Sequence, residues 1–206
     1  MTTRILVADD QEEIRSGFRM ILDSQPDMTV VAEAADGATA IELARHLKPD
    51  VVLTDIRMPR VDGLEVTRRL APGFRVIVVT TFDLDRYVTT ALESGACGFL
   101  LKRSGPTLLV EGVRAAMAGD MLISPQLTVR LLRRLATRHP DPGAGLTGRE
   151  LDIAREVARG RTNAEIAGVL SISAGTVKTH VAHIQAKLGV RNRVGIAAWA
   201  WSTGHT

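Results

Sequence analysis

The sequence predicts an α/β domain with a doubly wound parallel sheet, followed by a smaller all-α domain. Up to about residue 119, short apolar runs rich in β-branched residues alternate with helical patterns, as in a parallel sheet covered by helices. From residue 146 onward the helical patterns continue without a strand pattern. The net charge is −3 over residues 1–119 and +6 over residues 120–206. This division favours two domains, the second with a polyanionic partner.

Five strands and five helices are predicted in the first domain, residues 1–119. The strands are Ile5–Ala8, Thr29–Glu33, Val51–Thr54, Val76–Val79 and Gly98–Leu100. The helices are Gln11–Asp23, Gly37–Leu47, Gly63–Leu70, Asp85–Ser94 and Pro106–Ala118. Parallel strands are buried on both faces, which explains their near-continuous Val, Ile and Leu runs.

Three carboxylates follow two of these strands. Asp9 and Asp10 come directly after the first strand and Asp55 after the third, and Pro59 and Gly63 then force a loop. Because ligands of open α/β sheets bind at the carboxyl ends of the strands, these residues mark a candidate site. Three like charges repel unless a cation or a proton relieves them, and oxygen ligands with room for water suit Mg²⁺.

Two more polar groups are expected at the same edge of the sheet. Thr80 follows the fourth strand and Lys102 follows the fifth. A lone threonine usually satisfies a turn and a lone lysine is usually just solvated. With the three carboxylates, however, five polar side chains leave strand ends on one side, which favours a functional site.

The first domain resembles the receiver domain of two-component response regulators. The resemblance covers essentially all of residues 3–119 and rests on Asp9-Asp10, Asp55 with Pro59 and Gly63, Thr80, and Lys102 following Phe99. It implies that Asp55 accepts a phosphoryl group from a phosphohistidine of a sensor histidine kinase. It also implies Mg²⁺ as the cofactor, held by Asp10, Asp55 and the backbone carbonyl of Arg57, with Asp9 in support.

The same resemblance assigns the switch residues. Thr80 and Lys102 would bind the phosphoryl oxygens, and Phe99 would reposition when Thr80 moves. Thr81 is a competing hydroxyl, but the family's hydroxyl follows the strand directly, which favours Thr80. The proline that often follows the family's lysine is replaced here by Arg103.

Residues 120–145 are predicted to form a linker. Pro125–Thr137 fits a short helix with Ser124 as its cap, and residues 139–145 are rich in Pro and Gly and fit a hinge. No run approaches 18 apolar residues, so no membrane span is expected. The N-terminus lacks a signal-peptide pattern, and the single cysteine, Cys97, fits a small core residue in a reducing cytoplasm.

Residues 146–206 contain four helical patterns. Thr147 and Glu150 form a capping box at the first, which ends at Gly160. The others are Asn163–Leu170, whose start is Thr162 or Asn163, then Ala174–Leu188 capped by Ser173, and a last helix from about Arg193 to Trp201. A short helix, a tight turn and a longer helix with polar residues on one side is a helix-turn-helix pattern.

The second domain resembles the LuxR-type helix-turn-helix. The matching residues include Leu146-Thr-Gly-Arg-Glu150, Asn163-Ala-Glu-Ile-Ala167 and Thr176-Val-Lys-Thr-His-Val181. The resemblance implies that the third helix recognises double-stranded DNA and that the last helix mediates dimerisation. The DNA-binding candidates are Thr176, Lys178, Thr179, Ala182, His183 and Lys187, and the dimerisation candidates are Val194, Ala198 and Trp199. His183 is interpreted as a surface or phosphate contact and not as a metal ligand.

A receiver followed by a LuxR-type domain is the arrangement of the NarL/FixJ class of response regulators. We therefore expect a transcription factor that is not an enzyme beyond its own phosphoryl transfer and dephosphorylation, and whose phosphorylation promotes dimerisation or releases the DNA-binding helix. One alternative is a phosphatase of the haloacid dehalogenase kind. Such phosphatases carry an Asp-X-Asp motif at the first strand, whereas Asp9 and Asp10 are adjacent here. Another is a DNA-binding protein with a degenerate receiver, against which the five intact residues argue.

Overall fold

The computed structural model describes residues 2–81, 85–124 and 145–205. The first domain is built on a parallel sheet of six strands in the order β2-β1-β3-β4-β5-β6. The strands are β1 (Thr3–Ala8), β2 (Met28–Ala34), β3 (Val51–Thr54), β4 (Arg75–Thr80), β5 (Gly98–Leu101) and β6 (Leu122–Ile123). The five predicted strands are confirmed, with ends that shift by at most two residues.

Helices cover both faces of this sheet, as the doubly wound prediction requires. They are α1 (Glu12–Asp23), α2 (Gly37–Leu47), α3 (Gly63–Leu70), α4 (Asp85–Glu93) and α5 (Pro106–Ala118). On one face, Leu22 of α1 and Val113 of α5 pack in one core cluster with Ile5 and Leu53. On the other, α2 and α3 pack in a second cluster with Leu6 and Val52. The alternation of side chains along β1 and β3 divides the core in this way.

The predicted number of strands was wrong by one, because β6 had been assigned to the linker. Leu122 and Ile123 pair with Gly98 and Phe99. The following Ser124 is fully buried, and its N–H donates to the carbonyl of Phe99 at 3.0 Å. Two residues are too few to produce a strand pattern in a sequence. The predicted linker helix and all but the last residue of the predicted hinge lie outside the described residues.

The second domain packs four helices around one apolar core. They are α6 (Gly148–Ala158), α7 (Asn163–Leu170), α8 (Ala174–Leu188) and α9 (Arg193–Ser202). The predicted capping box of Thr147 is formed, and Thr162 starts α7 with a second capping box. The hydroxyl of Ser173 accepts a hydrogen bond from the N–H of Thr176 at 3.0 Å, which fixes the start of α8.

None of the described helices is both long enough and apolar enough to cross a membrane.

Candidate functional site

Strand register brings the three predicted carboxylates together. Ala8 of β1 lies opposite Thr54 of β3, so the next residues, Asp9 and Asp55, leave the sheet side by side. Both are buried, at 1% and 3% exposure. Asp10 is exposed, and one carboxylate oxygen from each of the three residues lies within 4.8 Å of the others.

Lys102, which directly follows β5, reaches into this acidic cluster. Its Nζ atom lies 2.6 Å from Oδ2 of Asp9 and 3.1 Å from Oδ2 of Asp55, and its side chain is only 6% exposed. Burial acts to lower the pKa of Lys102, but the two carboxylates outweigh burial and the pKa is raised. Burial, and to a smaller degree the charge of Asp55, raises the pKa of Asp9 despite the ammonium group.

The donor set fits a small divalent cation. Among the described residues, one ammonium faces the three carboxylates of the cluster, which leaves an excess of negative charge. Asp10 and Arg57 line the same open cleft, of about 400 Å³, which leaves space for water on an ion. Receiver domains generally bind Mg²⁺ at such an acidic pocket, and hard oxygen ligands are the ones that Mg²⁺ prefers.

The backbone holds Asp55 in place within a tightly packed loop. Its N–H donates to the carbonyl of Ala8 at 2.9 Å, and its Oδ1 accepts from the N–H of Ile56 at 2.7 Å. The loop then returns, and the N–H of Gly63 donates to the carbonyl of Ile56 at 2.8 Å. A Cβ atom on Gly63 would lie 1.8 Å from the carbonyl oxygen of Asp55, so only glycine fits there without displacing the loop.

The predicted switch residues lie on the strands beside this cluster. Thr80 is the last residue of β4 and is fully buried opposite Leu101, whereas Thr81 is exposed. Phe99 of β5 is also fully buried, in a core cluster with Val88 and Leu92 of α4. A rearrangement of Phe99 would therefore disturb the packing of α4.

Helix α8 has the two sides that the sequence predicts. Val177, Val181 and Ile184 are buried in the core of the second domain. The six DNA-binding candidates, Thr176, Lys178, Thr179, Ala182, His183 and Lys187, are all exposed. Both lysines nevertheless have partners within the chain, because Nζ of Lys178 donates to the carbonyl of Met117 at 3.2 Å and Nζ of Lys187 donates to Glu150 at 2.6 Å.

Comparison with known proteins identifies both domains. Residues 5–114 match the response regulator receiver domain, and residues 144–200 match the bacterial regulatory proteins of the luxR family. The chain belongs to the two-component response regulators. It is 40% identical over 195 residues to the nitrate/nitrite response regulator protein NarP of Escherichia coli strain K12, covering 93% of this chain and 91% of NarP.

Solved structures agree with this assignment over the full length. The crystal structure of the response regulator ChrA, of a heme-sensing two-component system, superposes with a TM-score of 0.55 at 37% identity and covers 100% of this chain and 99% of ChrA. A structure of two RcsB dimers bound to two parallel DNAs gives a TM-score of 0.60 at 25% identity, covering 98% of this chain and 99% of RcsB. This response regulator therefore acts in transcription regulation and carries its DNA-binding function in the LuxR-type domain.

The residues that join the two domains of this response regulator were not predicted from the sequence. Asp120 follows α5, and its carboxylate pairs with Arg193 of α9 and accepts from the N–H of Asn163 at 3.1 Å. The side-chain amide of Asn192 donates to the carbonyl of Leu92, at the end of α4, at 2.7 Å. No local pattern marks such residues, because the partners lie far apart along the chain.

The dimerisation candidates occupy different positions on α9. Trp199 is 7% exposed and belongs to the core of the second domain. Val194 packs against the α4 cluster of the first domain, together with Tyr87 and Met121. Ala198 is half-buried. The face of α9 that carries Val194 is therefore covered by the receiver domain in this arrangement.

Proposed function

We propose that this response regulator is switched by phosphorylation of Asp55 by a sensor histidine kinase. The observation that carries the proposal is the placement of Lys102, whose ammonium lies between Asp9 and Asp55 at the carboxyl edge of the sheet. Phosphoryl transfer is catalysed mainly by positioning and by compensation of charge. An ammonium at this position offers a point charge to the incoming phosphoryl group.

Each residue of the cluster has a role in this transfer. A carboxylate oxygen of Asp55 attacks phosphorus, the P–N bond to the kinase histidine breaks, and the imidazole leaves with the bond's electrons and takes up a proton. Asp10, Asp55 and the carbonyl of Arg57 would hold Mg²⁺, with Asp9 in support, and Mg²⁺ when bound neutralises charge that develops on the phosphoryl oxygens. Lys102 and Thr80 would hold the phosphoryl group afterwards, and the hydroxyl of Thr80 gains a contact that exists only in the phosphorylated state.

The contacts between the domains indicate how phosphorylation would control binding to double-stranded DNA. Lys178, a DNA-binding candidate on α8, is engaged by the carbonyl of Met117, and Val194 of α9 packs on the receiver. Release of the recognition helix and formation of a homodimer through α9 would both require these contacts to open. A dimer would contact two half-sites and roughly twice as many phosphates.

The route from Asp55 to this interface runs through buried neighbours. Phe99 and Val194 share one cluster with Val88 and Leu92 of α4, and Asn192 holds the carbonyl of Leu92. A shift of Phe99 after Thr80 engages the phosphoryl group would change the surface on which α9 rests. The phosphorylated state would then favour an arrangement in which the contacts between the two domains are broken.

Phosphodonor labelling of the wild type, Asp55→Asn and Asp27→Asn tests the assignment. Asp27 is a matched control because it is a carboxylate on the same domain with a half-exposed side chain, and it precedes β2 at the end of the sheet opposite the cluster. We expect stoichiometric labelling of the wild type and of Asp27→Asn, dependent on Mg²⁺, and no labelling of Asp55→Asn. Labelling that survives Asp55→Asn would refute the phosphoacceptor, absence of labelling in the wild type would indicate a degenerate receiver, and sustained turnover of phosphate esters would indicate a phosphatase.

Footprinting on DNA with and without the phosphodonor tests whether phosphorylation of Asp55 controls DNA binding. We expect the donor to increase protection by the wild type and to leave Asp55→Asn unchanged. Equal protection in all four reactions would contradict control by phosphorylation.

A further inference from the structure

Three side chains with metal-binding atoms converge in the second domain, away from the acidic cluster. Glu150 lies in the first turn of α6, and His180 and His183 lie one turn apart on α8. One carboxylate oxygen and one ring nitrogen from each histidine lie within 4.8 Å of one another. The two rings meet edge to face with their centroids 6.5 Å apart. Histidines three residues apart share one side of a helix, so both face the carboxylate.

One of these side chains has a buried polar atom that the described protein atoms leave unsatisfied. Nδ1 of His180 is buried and has no hydrogen-bond partner among the described residues. Buried polar atoms are rarely left in this way, and an absent ion is one of the accepted explanations. Glu150 is buried at 4% exposure, and its contacts with Thr147 and Lys187 all reach Oε2. Within the described part of the chain, Oε1 accepts no hydrogen bond.

We propose that Glu150, His180 and His183 bind a divalent transition-metal ion of the type represented by Zn²⁺, Ni²⁺ or Cu²⁺. Two imidazoles and one carboxylate suit these ions, whereas Mg²⁺ favours oxygen ligands alone. Ligand atoms around a tetrahedral Zn²⁺ lie roughly 3.3 Å apart, given metal–ligand bonds of about 2.0–2.1 Å. Side-chain rotation must therefore close the observed spacing by about 1.5 Å at most, and the exposed ring of His183 is free to move by that amount.

A metal role for His183 was not predicted, because no second ligand was recognised near it in the sequence. His180 lies one turn earlier on the same helix, and the fold adds Glu150 from α6. Three protein ligands leave a coordination position open on the exposed side, as in sites that bind water or a further ligand.

Lys187 competes with the metal ion for Glu150. Its removal should therefore change the affinity for the metal in the direction opposite to removal of a ligand. Its ammonium lies 2.6 Å from Oε2 of Glu150, so it repels a cation and competes for the same carboxylate. Removal of this charge should strengthen metal binding, while removal of a ligand should weaken it. A carboxylate that served only as a helix cap and ion-pair partner would not give this pair of results.

Calorimetric titration of the full chain with Zn²⁺, in excess Mg²⁺ to occupy the acidic cluster, measures the site directly. We expect one equivalent of Zn²⁺, with an affinity that falls by at least about tenfold in His183→Ala and in Glu150→Gln, and that rises in Lys187→Gln. Glutamine at position 150 can retain the capping box, and His183→Ala leaves both the capping box and the Lys187 pair intact. His46→Ala is the control, because His46 is exposed on α2 and lies outside the cluster.

Titration with Co²⁺ distinguishes the ligand set by its visible absorption. Coordination by two imidazoles and a carboxylate in four-coordinate geometry gives intense bands that an oxygen-only octahedral site lacks. We expect these bands in the wild type and in His46→Ala, and their loss in His183→Ala. Absence of saturable Zn²⁺ binding, or an affinity that is equal in the wild type and in His183→Ala, would overturn the proposal.

Occupancy of the site would also affect contact with DNA. His183 lies one turn from Thr179, on the side of α8 that is assigned to DNA. This consequence rests on the proposed function, whereas Zn²⁺ binding does not. We expect Zn²⁺ to change the DNA affinity of the phosphorylated wild type and to leave that of His183→Ala unchanged, and an equal effect on both proteins would refute the link.

Discussion

Replacement of Asp120 by alanine should raise the DNA affinity of the unphosphorylated protein. Asp120 belongs to the receiver side of the interface and pairs with Arg193, with side chains that are 15% and 11% exposed. Arg193 keeps other partners after the change, since its guanidinium also donates to the side chain of Asn163 and to the carbonyl of Arg161. Those partners lie in the second domain, so that domain should stay folded when the interface opens.

The size of the effect follows from the contacts that are lost. A hydrogen bond to a charged group contributes about 1.5–3 kcal/mol, which corresponds to a change of roughly ten- to a hundredfold in an equilibrium constant. Apparent affinity scales with the fraction of molecules that are competent to bind, so the closed–open equilibrium acts directly on the measured Kd. We therefore expect unphosphorylated Asp120→Ala to bind DNA at least about tenfold more tightly, up to the affinity of the phosphorylated wild type.

Fluorescence anisotropy with a footprinted DNA fragment at fixed salt measures this change. Asp152→Ala is the matched control, because it also removes one carboxylate paired with an arginine but from the exposed surface of α6. Loss of negative charge alone would strengthen DNA binding equally in both variants. The proposal that the contacts between the domains restrain DNA binding would be refuted if Asp120→Ala bound DNA like the wild type, or if the two variants gained affinity equally.

Three further predictions concern the stability and reactivity of single groups. Gly63→Ala should destabilise the receiver by roughly 1–3 kcal/mol and slow phosphodonor labelling, because the added methyl group displaces the loop of Asp55; chemical denaturation and labelling kinetics check this. The ammonium of Lys187 and the N–H of Thr147 lower the pKa of Glu150 to about 2, so the resulting stabilisation is complete above the ordinary carboxyl pKa and is lost as the pH falls towards 2. The difference in unfolding free energy between wild type and Lys187→Gln should therefore shrink in acid. Burial raises the pKa of Cys97 to about 12, so thiol reagents should modify it slowly at neutral pH and rapidly in denaturant.

The acidic cluster was predictable because its residues follow the ends of strands, directly or after one residue. Parallel strands end at one edge, so the positions of Asp9, Asp55 and Lys102 in the sequence already place them near each other. The structure adds the distances and the near-absence of solvent around the ammonium. The predicted roles of these residues in phosphoryl transfer stay predictions until labelling is measured.

The interface between the domains was not predictable from patterns. Asn163 contacts Asp120 across 43 residues, and Asn192 contacts Leu92 across 100 residues. An asparagine near a helix start is most simply interpreted as a cap, and Asn192 does accept from the N–H of Gly195 at 3.1 Å as well. Only the assembled fold reveals that the side-chain amide of Asn192 also donates a hydrogen bond to the first domain.

The short sixth strand limits how copies of this protein can associate. An uncovered strand at the margin of a sheet is a template for another chain, and natural proteins often blunt it with a very short neighbour. Leu122 and Ile123 take that place beside β5, so sheet extension across two molecules on this side would first have to displace them. Strand pairing between molecules into fibres is therefore discouraged along the β6 margin, which lies beside Phe99 of β5. Self-association on this side would instead use helical surfaces.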